Sequence, residues 1–176
     1  MVITRSTSTA LCEALGAVPD PEVPVLSIAD LGILREVTVD DVAGTVDVTI
    51  TPTYSGCPAM AAIADHVAHV CRTAGWRPRV TTSLSPAWTT DWMSPEGREK
   101  LRRFGIAPPG GHAHTGSADP AMQAGPVVVA LARRVVACPR CGSDDTTELA
   151  RFGSTACKSL RRCEACREPF DEFKTI

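Results

Sequence analysis

Two CxxC pairs lie close to the end of this chain, Cys138-Pro-Arg-Cys141 and Cys163-Glu-Ala-Cys166, with 21 residues between them. No other feature limits the fold as tightly. Each pair can turn as a tight knuckle, and four thiolates so placed meet the tetrahedral demand of a closed zinc site. The interval lies just past the usual ~15–20 residues of a two-knuckle site. Four cysteine ligands fill the coordination shell, so the metal folds a module and leaves no position for a substrate. The same thiolates accept iron, singly or as a cluster, as readily as zinc, so the spacing alone does not choose between them.

Eight cysteines could instead form disulfides. The N-terminus, however, has no apolar core of signal-peptide length, and no run of about 18 apolar residues could span a membrane. The expectation is a cytoplasmic protein with no membrane partner, in a reducing compartment where CxxC pairs bind metal. The formal net charge is −2, which supplies no global field for nucleic acid. Arginines such as Arg133, Arg134, Arg161 and Arg162 give the cysteine module a basic patch, but acids interleave. A nucleic-acid-binding ribbon is the remote alternative.

The fold class expected is α+β, a small mixed sheet packed by helices and followed by a β-rich four-cysteine ribbon. Three segments emerge: a domain over 1–108, a linker over 109–126 and the ribbon over 127–176. In the first, 8–18 fits a helix with Leu11, Ala14, Leu15 and Val18 on one stripe. Residues 33–39 and 45–51 alternate and read as a hairpin, and Val46, Val48 and Ile50 share its buried face. A helix over 58–74 begins at Pro58 and stops at Gly75, and 77–84 forms a third strand. Ser94 caps a further helix with Pro95 at its first position, and Trp88, Trp92 and Phe104 cover the sheet. The linker is rich in proline and glycine and contains His112 and His114. In the ribbon, strands are expected over 127–137, 146–152, 158–162 and 169–176. So small a module needs its metal for folding, worth roughly 10–16 kcal/mol in apparent terms. Its exposed hairpin edges could pair copies into a homo-oligomer.

Candidate chemistry lies upstream. Cys57 immediately precedes the helix at Pro58, where the dipole and free N–H groups lower a thiol pKa and favour a thiolate, a nucleophile or soft metal ligand. Position alone leaves open whether it is functional or a small buried cap. Cys12 and Cys71 sit on apolar stripes and read as core. Cys157 is either a fifth thiol beside the ribbon metal or a plain hairpin residue. Asp20-Pro21-Glu22 holds two carboxylates in a stiff turn, able to bind metal or simply to face solvent. His66 and His69 stand one helical turn apart with no third ligand beside them and read as solvated. No phosphate loop, GxSxG or HExxH occurs, so catalysis by this chain alone is not expected.

Asp20-Pro21-Glu22, Ser27-Ile28-Ala29-Asp30-Leu31-Gly32 and Thr51-Pro52-Thr53 leading into Gly56-Cys57-Pro58-Ala59-Met60 resemble the SufT-like family of metal–sulfur cluster assembly proteins. Residues 85–94 extend the likeness over about 10–108. Cys138-Pro139-Arg140-Cys141-Gly142-Ser143, Phe152-Gly153-Ser154-Thr155-Ala156-Cys157-Lys158 and Pro169-Phe170-Asp171 narrow it. They resemble the D-subunit family of the phenylacetyl-CoA epoxidase system, a multicomponent di-iron monooxygenase of aerobic phenylacetate breakdown.

The resemblance implies an accessory protein that matures or delivers an iron or iron–sulfur centre, with oxygenase or reductase subunits as partners. It implies that Cys57 holds iron or a cluster in transit, with Asp20 and Glu22 as its neighbours and Cys157 as its helper. It also implies structural zinc on Cys138, Cys141, Cys163 and Cys166. The alternative is a structural subunit that binds the oxygenase or reductase without handling metal at Cys57.

Overall fold

The structure, a computed structural model, describes residues 6–110 and 135–176. Helix α1 (Ser8–Gly16) is capped by Thr7, whose hydroxyl accepts from the Ala10 N–H at 3.3 Å. It buries Leu11 and Leu15. Ala14 and Cys12 are exposed, so Cys12 is not core. It stands one residue past Leu11, about 100° round the helix and off the buried stripe. Strands β1 (Leu34–Asp40) and β2 (Thr45–Ile50) form the expected hairpin. Its turn is held by Asp40 Oδ1, which accepts from the Ala43 N–H at 2.8 Å. Helix α2 (Ala59–Thr73) then carries the chain across to β3 (Arg77–Thr82), which pairs parallel to β2. The sheet order is β1-β2-β3.

The period-2 face of β2 (Val46, Val48, Ile50) and the helical stripe of α2 (Ile63, Val67, Cys71) are buried in one apolar cluster. Cys71 is core, as its stripe predicts. Helix α3 (Pro95–Phe104) starts at the Ser94 cap, whose hydroxyl accepts from the Gly97 N–H at 2.8 Å. Gly97 lets the helix sit directly on the loop below, because an added Cβ would lie 2.9 Å from the Asp30 carbonyl oxygen. Trp88 is buried, but Phe104 is 62% exposed and covers nothing.

The second sheet is antiparallel with order β4-β5-β6, from β4 (Thr146–Ala150), β5 (Lys158–Cys163) and β6 (Pro169–Phe173). The fold class is therefore α+β, as expected. Of the strand expected over 127–137, residues 127–134 lie outside the described residues and 135–137 carry no strand. His112, His114 and most of the expected linker also lie outside them.

The two sheets are joined by β6. Phe173 N–H donates to the Ala107 carbonyl at 2.9 Å, and Ala107 N–H donates to the Asp171 carbonyl at 2.8 Å. Thr90 N–H donates to the Ile176 carbonyl at 3.2 Å. The rings of Trp88 and Phe173 meet at 6.2 Å, and the Trp88 indole donates to the Leu31 carbonyl at 2.8 Å. The main apolar cluster consequently runs from Leu11 through Val48 to Cys157 and Phe173. Among the described residues no helix is long and apolar enough to cross a membrane.

Candidate metal centres

The four ribbon cysteines converge. All four Sγ atoms lie within 4.8 Å of one another, with Cys141–Cys163 at 3.5 Å and Cys138–Cys166 at 3.8 Å. Zinc at about 2.3 Å from each sulfur would set tetrahedral edges near 3.8 Å, so the donor set fits that ion. The knuckles are built alike. Each has a left-handed residue after its second cysteine, Gly142 at φ 75° and Arg167 at φ 66°. In the second knuckle the Cys166 N–H donates to Cys163 Sγ at 3.4 Å and draws that thiol down to about 7. Cys166 receives the Glu168 N–H, which pulls it down, yet its neighbouring cysteines push it up to about 12. Crowded thiols resist joint ionisation, and a dication among them removes that resistance.

A second cluster forms where the ribbon meets the first sheet. Cys57 ends the turn begun at Tyr54, and its N–H donates to the Tyr54 carbonyl at 3.1 Å. It sits before α2, which starts at Ala59 with Pro58 as its cap residue. Asp20 is buried, and its Oδ1 accepts from the N–H groups of Val23 at 2.7 Å and Glu22 at 2.9 Å. Cys157 is 4% exposed at the threshold of β5, with Thr155 Oγ1 at 3.0 Å from its sulfur. Asp20, Glu22, Cys57 and Cys157 act on one another electrostatically, so the fold makes them neighbours, whereas among the described residues only the ribbon cysteines bring their ligand atoms within 4.8 Å of one another. Cys157 is not a fifth thiol beside the ribbon metal. It stands at the end of β5 opposite Cys163, about 20 Å away at 3.3 Å per residue.

The electrostatics of this cluster reverse one expectation. Burial pushes the Cys57 thiol up, and although the Ala59 N–H pulls it down, Glu22, Asp20 and Cys157 push it up again. The helix start is present, but burial outweighs it, with the two carboxylates and the second thiol adding to the same side. Burial likewise pushes up Cys157 and, despite its two N–H donors, Asp20. Burial thus disfavours the thiolate at both Cys57 and Cys157, so neither is a preformed thiolate, and a metal bound there would have to displace thiol protons.

Two members are not evident from sequence. The Tyr54 phenol, raised by burial, also feels Cys57, Glu22 and Cys157. Lys158 is 5% exposed and acts on Asp20, Glu22 and Cys157. Only their adjacency to Cys57 and Cys157 in the chain could have flagged them. His66 and His69 are exposed on α2 and join no ligand group among the described residues.

Comparison with known proteins follows the same division. A family model described as "PaaD zinc beta ribbon domain" matches residues 123–174, and one described as "Iron-sulfur cluster assembly protein" matches 8–82. An Escherichia coli (strain K12) protein, provisionally named as the D subunit of 1,2-phenylacetyl-CoA epoxidase, is 47% identical over 163 residues, covering 92% of this chain and 89% of its own length. Among solved structures, a domain of unknown function from Bacillus anthracis is 30% identical, with a TM-score of 0.49, covering 53% of this chain and 89% of its own. A conserved hypothetical protein from Thermotoga maritima is 29% identical, with a TM-score of 0.44, covering 57% of this chain and 98% of its own.

Proposed function

This chain belongs to the D-subunit family of 1,2-phenylacetyl-CoA epoxidase, and we propose that it is an accessory component of such an epoxidase system, one that holds iron or an iron–sulfur cluster for delivery to another component. The observation that carries this reading is that Cys57, before α2, and Cys157, before β5, border one apolar cluster and lie within electrostatic reach of each other, Asp20 and Glu22. Two thiols supply soft ligands and two carboxylates supply hard ones, a set suited to iron. The ribbon's four cysteines take zinc, fill its shell and fold the module that brings Cys157 to the site.

Cargo binding at Cys57 exchanges thiol protons for metal, which lets the protein release what it holds when a client offers better ligands. The oxygenase and the reductase subunits are the clients this reading names. The described cysteines are all free, in keeping with a reducing compartment.

The test is anaerobic metal analysis of the full chain beside Cys57→Ala and Cys163→Ala. Loss of iron but not zinc in the first, and loss of zinc in the second, is the expected result. Cells carrying Cys57→Ala should then lose growth on phenylacetate while the protein stays folded. Full growth with that variant, or a stable complex with the oxygenase that never carries iron, would leave a structural subunit as the answer.

A further inference from the structure

Strand β1 carries an irregularity that re-aims one cation. Leu34 faces Ile50 and Glu36 faces Thr49, so Arg35 is the extra residue of a β-bulge. Its guanidinium lies on the Trp92 ring, 3.6 Å from the centroid. Trp92 is itself closely seated, because Gly32 has φ 68° and an added Cβ there would lie 2.6 Å from the Trp92 carbonyl oxygen. Stacking holds the guanidinium and uses none of its N–H donors. Among the described residues those donors meet no acceptor. Arg35 borders a cavity of about 510 Å³ whose wall also includes Glu36, Thr51, Ser83 and Ser85. Thr51 is 2% exposed, and its hydroxyl has no hydrogen-bond partner among the described residues. A buried hydroxyl left alone is costly, and an acceptor in the cavity removes that cost. Ser83 has committed its proton. Its hydroxyl donates to the Ser85 carbonyl at 2.8 Å, accepts from the Ser85 N–H at 3.3 Å and keeps one lone pair.

We propose that this cavity binds a small hydroxylated monocarboxylate. The carboxylate meets the planar fork of Arg35, which suits it bidentately, and the orphan hydroxyl of Thr51. Ligand hydroxyls donate to the remaining lone pair of Ser83 and to the Glu36 carboxylate. Glu36 also sets the charge, because one guanidinium beside one carboxylate does not compensate a dianion. The short polar wall suits a small molecule better than a protein partner, whose interfaces centre on large aromatic or arginine anchors. No cysteine lines the cavity, and the inference does not depend on the iron-holding reading.

The test is calorimetric titration of the full, zinc-loaded chain with glycerate, acetate, glycerol and glycerol 3-phosphate. Glycerate should bind with a Kd of about 1 mM or below. Acetate lacks the hydroxyls and glycerol lacks the carboxylate, and each should bind about tenfold or more weakly. Arg35→Lys keeps the charge and loses the fork, and should weaken glycerate about tenfold. Thr51→Val removes only the hydroxyl and should weaken it several-fold. Glu36→Gln should admit glycerol 3-phosphate as tightly as glycerate, a gain that misfolding cannot mimic; it serves as the measure if the other variants do not fold. No saturable heat with glycerate, acetate binding as tightly as glycerate, or a dianion still refused by Glu36→Gln overturns the proposal. Binding of a peptide with a free C-terminal carboxylate but not of glycerate also overturns it, and assigns the cavity to a protein partner.

Discussion

A carboxylate that is buried and still ionised needs donors, and Asp30 has them. It is 7% exposed. It accepts from the Ser27 N–H at 2.8 Å, the Ser27 hydroxyl at 3.0 Å, the Lys100 ammonium at 2.6 Å and the Ser94 hydroxyl at 3.4 Å. Burial pushes its pKa up, but Lys100 and Ser27 together hold it below the usual carboxylate range. A depressed folded pKa contributes stability above the unfolded value, about 3.9, and loses it as pH falls through the lower folded value. Asp30→Asn should cost roughly 1–2 kcal/mol near neutrality. Urea unfolding at a series of pH values should show that difference shrinking below about pH 4, where wild type also protonates. Cys57 has the opposite character. Its thiol is raised by burial and by Glu22 and Asp20, so at neutral pH iodoacetamide should modify it more slowly than an ordinary cysteine. Its rate should climb only at alkaline pH, and Glu22→Gln should move that climb to lower pH. Modification faster than a free thiol at pH 7 would contradict the assignment.

At the scale of elements, what could be read in advance was what is local. The Asp40–Gly44 turn, the face of β2, the stripe of α2 and the Ser94 cap each depend on neighbours within a few positions, and each stands where the pattern puts it. The CxxC pairs are local too, and their four sulfurs meet. Cys157 was ambiguous because its surroundings depend on the seating of β5 and β6 against residues on the first sheet's side. The sign of the Cys57 shift was missed for the same reason. A helix start is visible in sequence, whereas the burial that outweighs it, and the carboxylates that add to that effect, come from the packing of distant segments. The ribbon shows how far one element's stability depends on metal. Strands β4 to β6 enclose a small cluster of Ala107, Val136, Cys138, Cys163 and Phe170, too little apolar area to fold alone. Chelation should therefore unfold β4–β6 while β1–β3 persist. Near-ultraviolet dichroism should change, because Trp88 loses Phe173, while the helical signal of α1–α3 remains.

The whole molecule depends on whether the ribbon stays seated, and Phe173 is the side chain that seats it. It is 1% exposed, packs against Trp88 and belongs to the first sheet's cluster, while its backbone bonds Ala107. The strand it ends is paired with β5, and Lys174 N–H donates to the Cys157 carbonyl at 2.9 Å. Loosening Phe173 therefore loosens Cys157 and Lys158 together, where the second sheet contributes to the proposed site. Phe173→Ala should cost roughly 3–5 kcal/mol of global stability if the whole chain unfolds as one, the usual range for a buried aromatic. If the ribbon merely lifts away, the cost appears instead as local opening. The two outcomes separate by thiol labelling with mass spectrometry. Local opening exposes Cys157 to alkylation, while Cys138, Cys141, Cys163 and Cys166 stay protected by their zinc. Global unfolding exposes Cys71 as well, the thiol at the centre of the first cluster. The prediction is selective labelling of Cys157, with Cys57-dependent metal binding lost and ribbon zinc retained. Retained metal binding at Cys57 in a variant whose Cys157 is freely labelled would show that one thiol suffices and that the second sheet serves some other end.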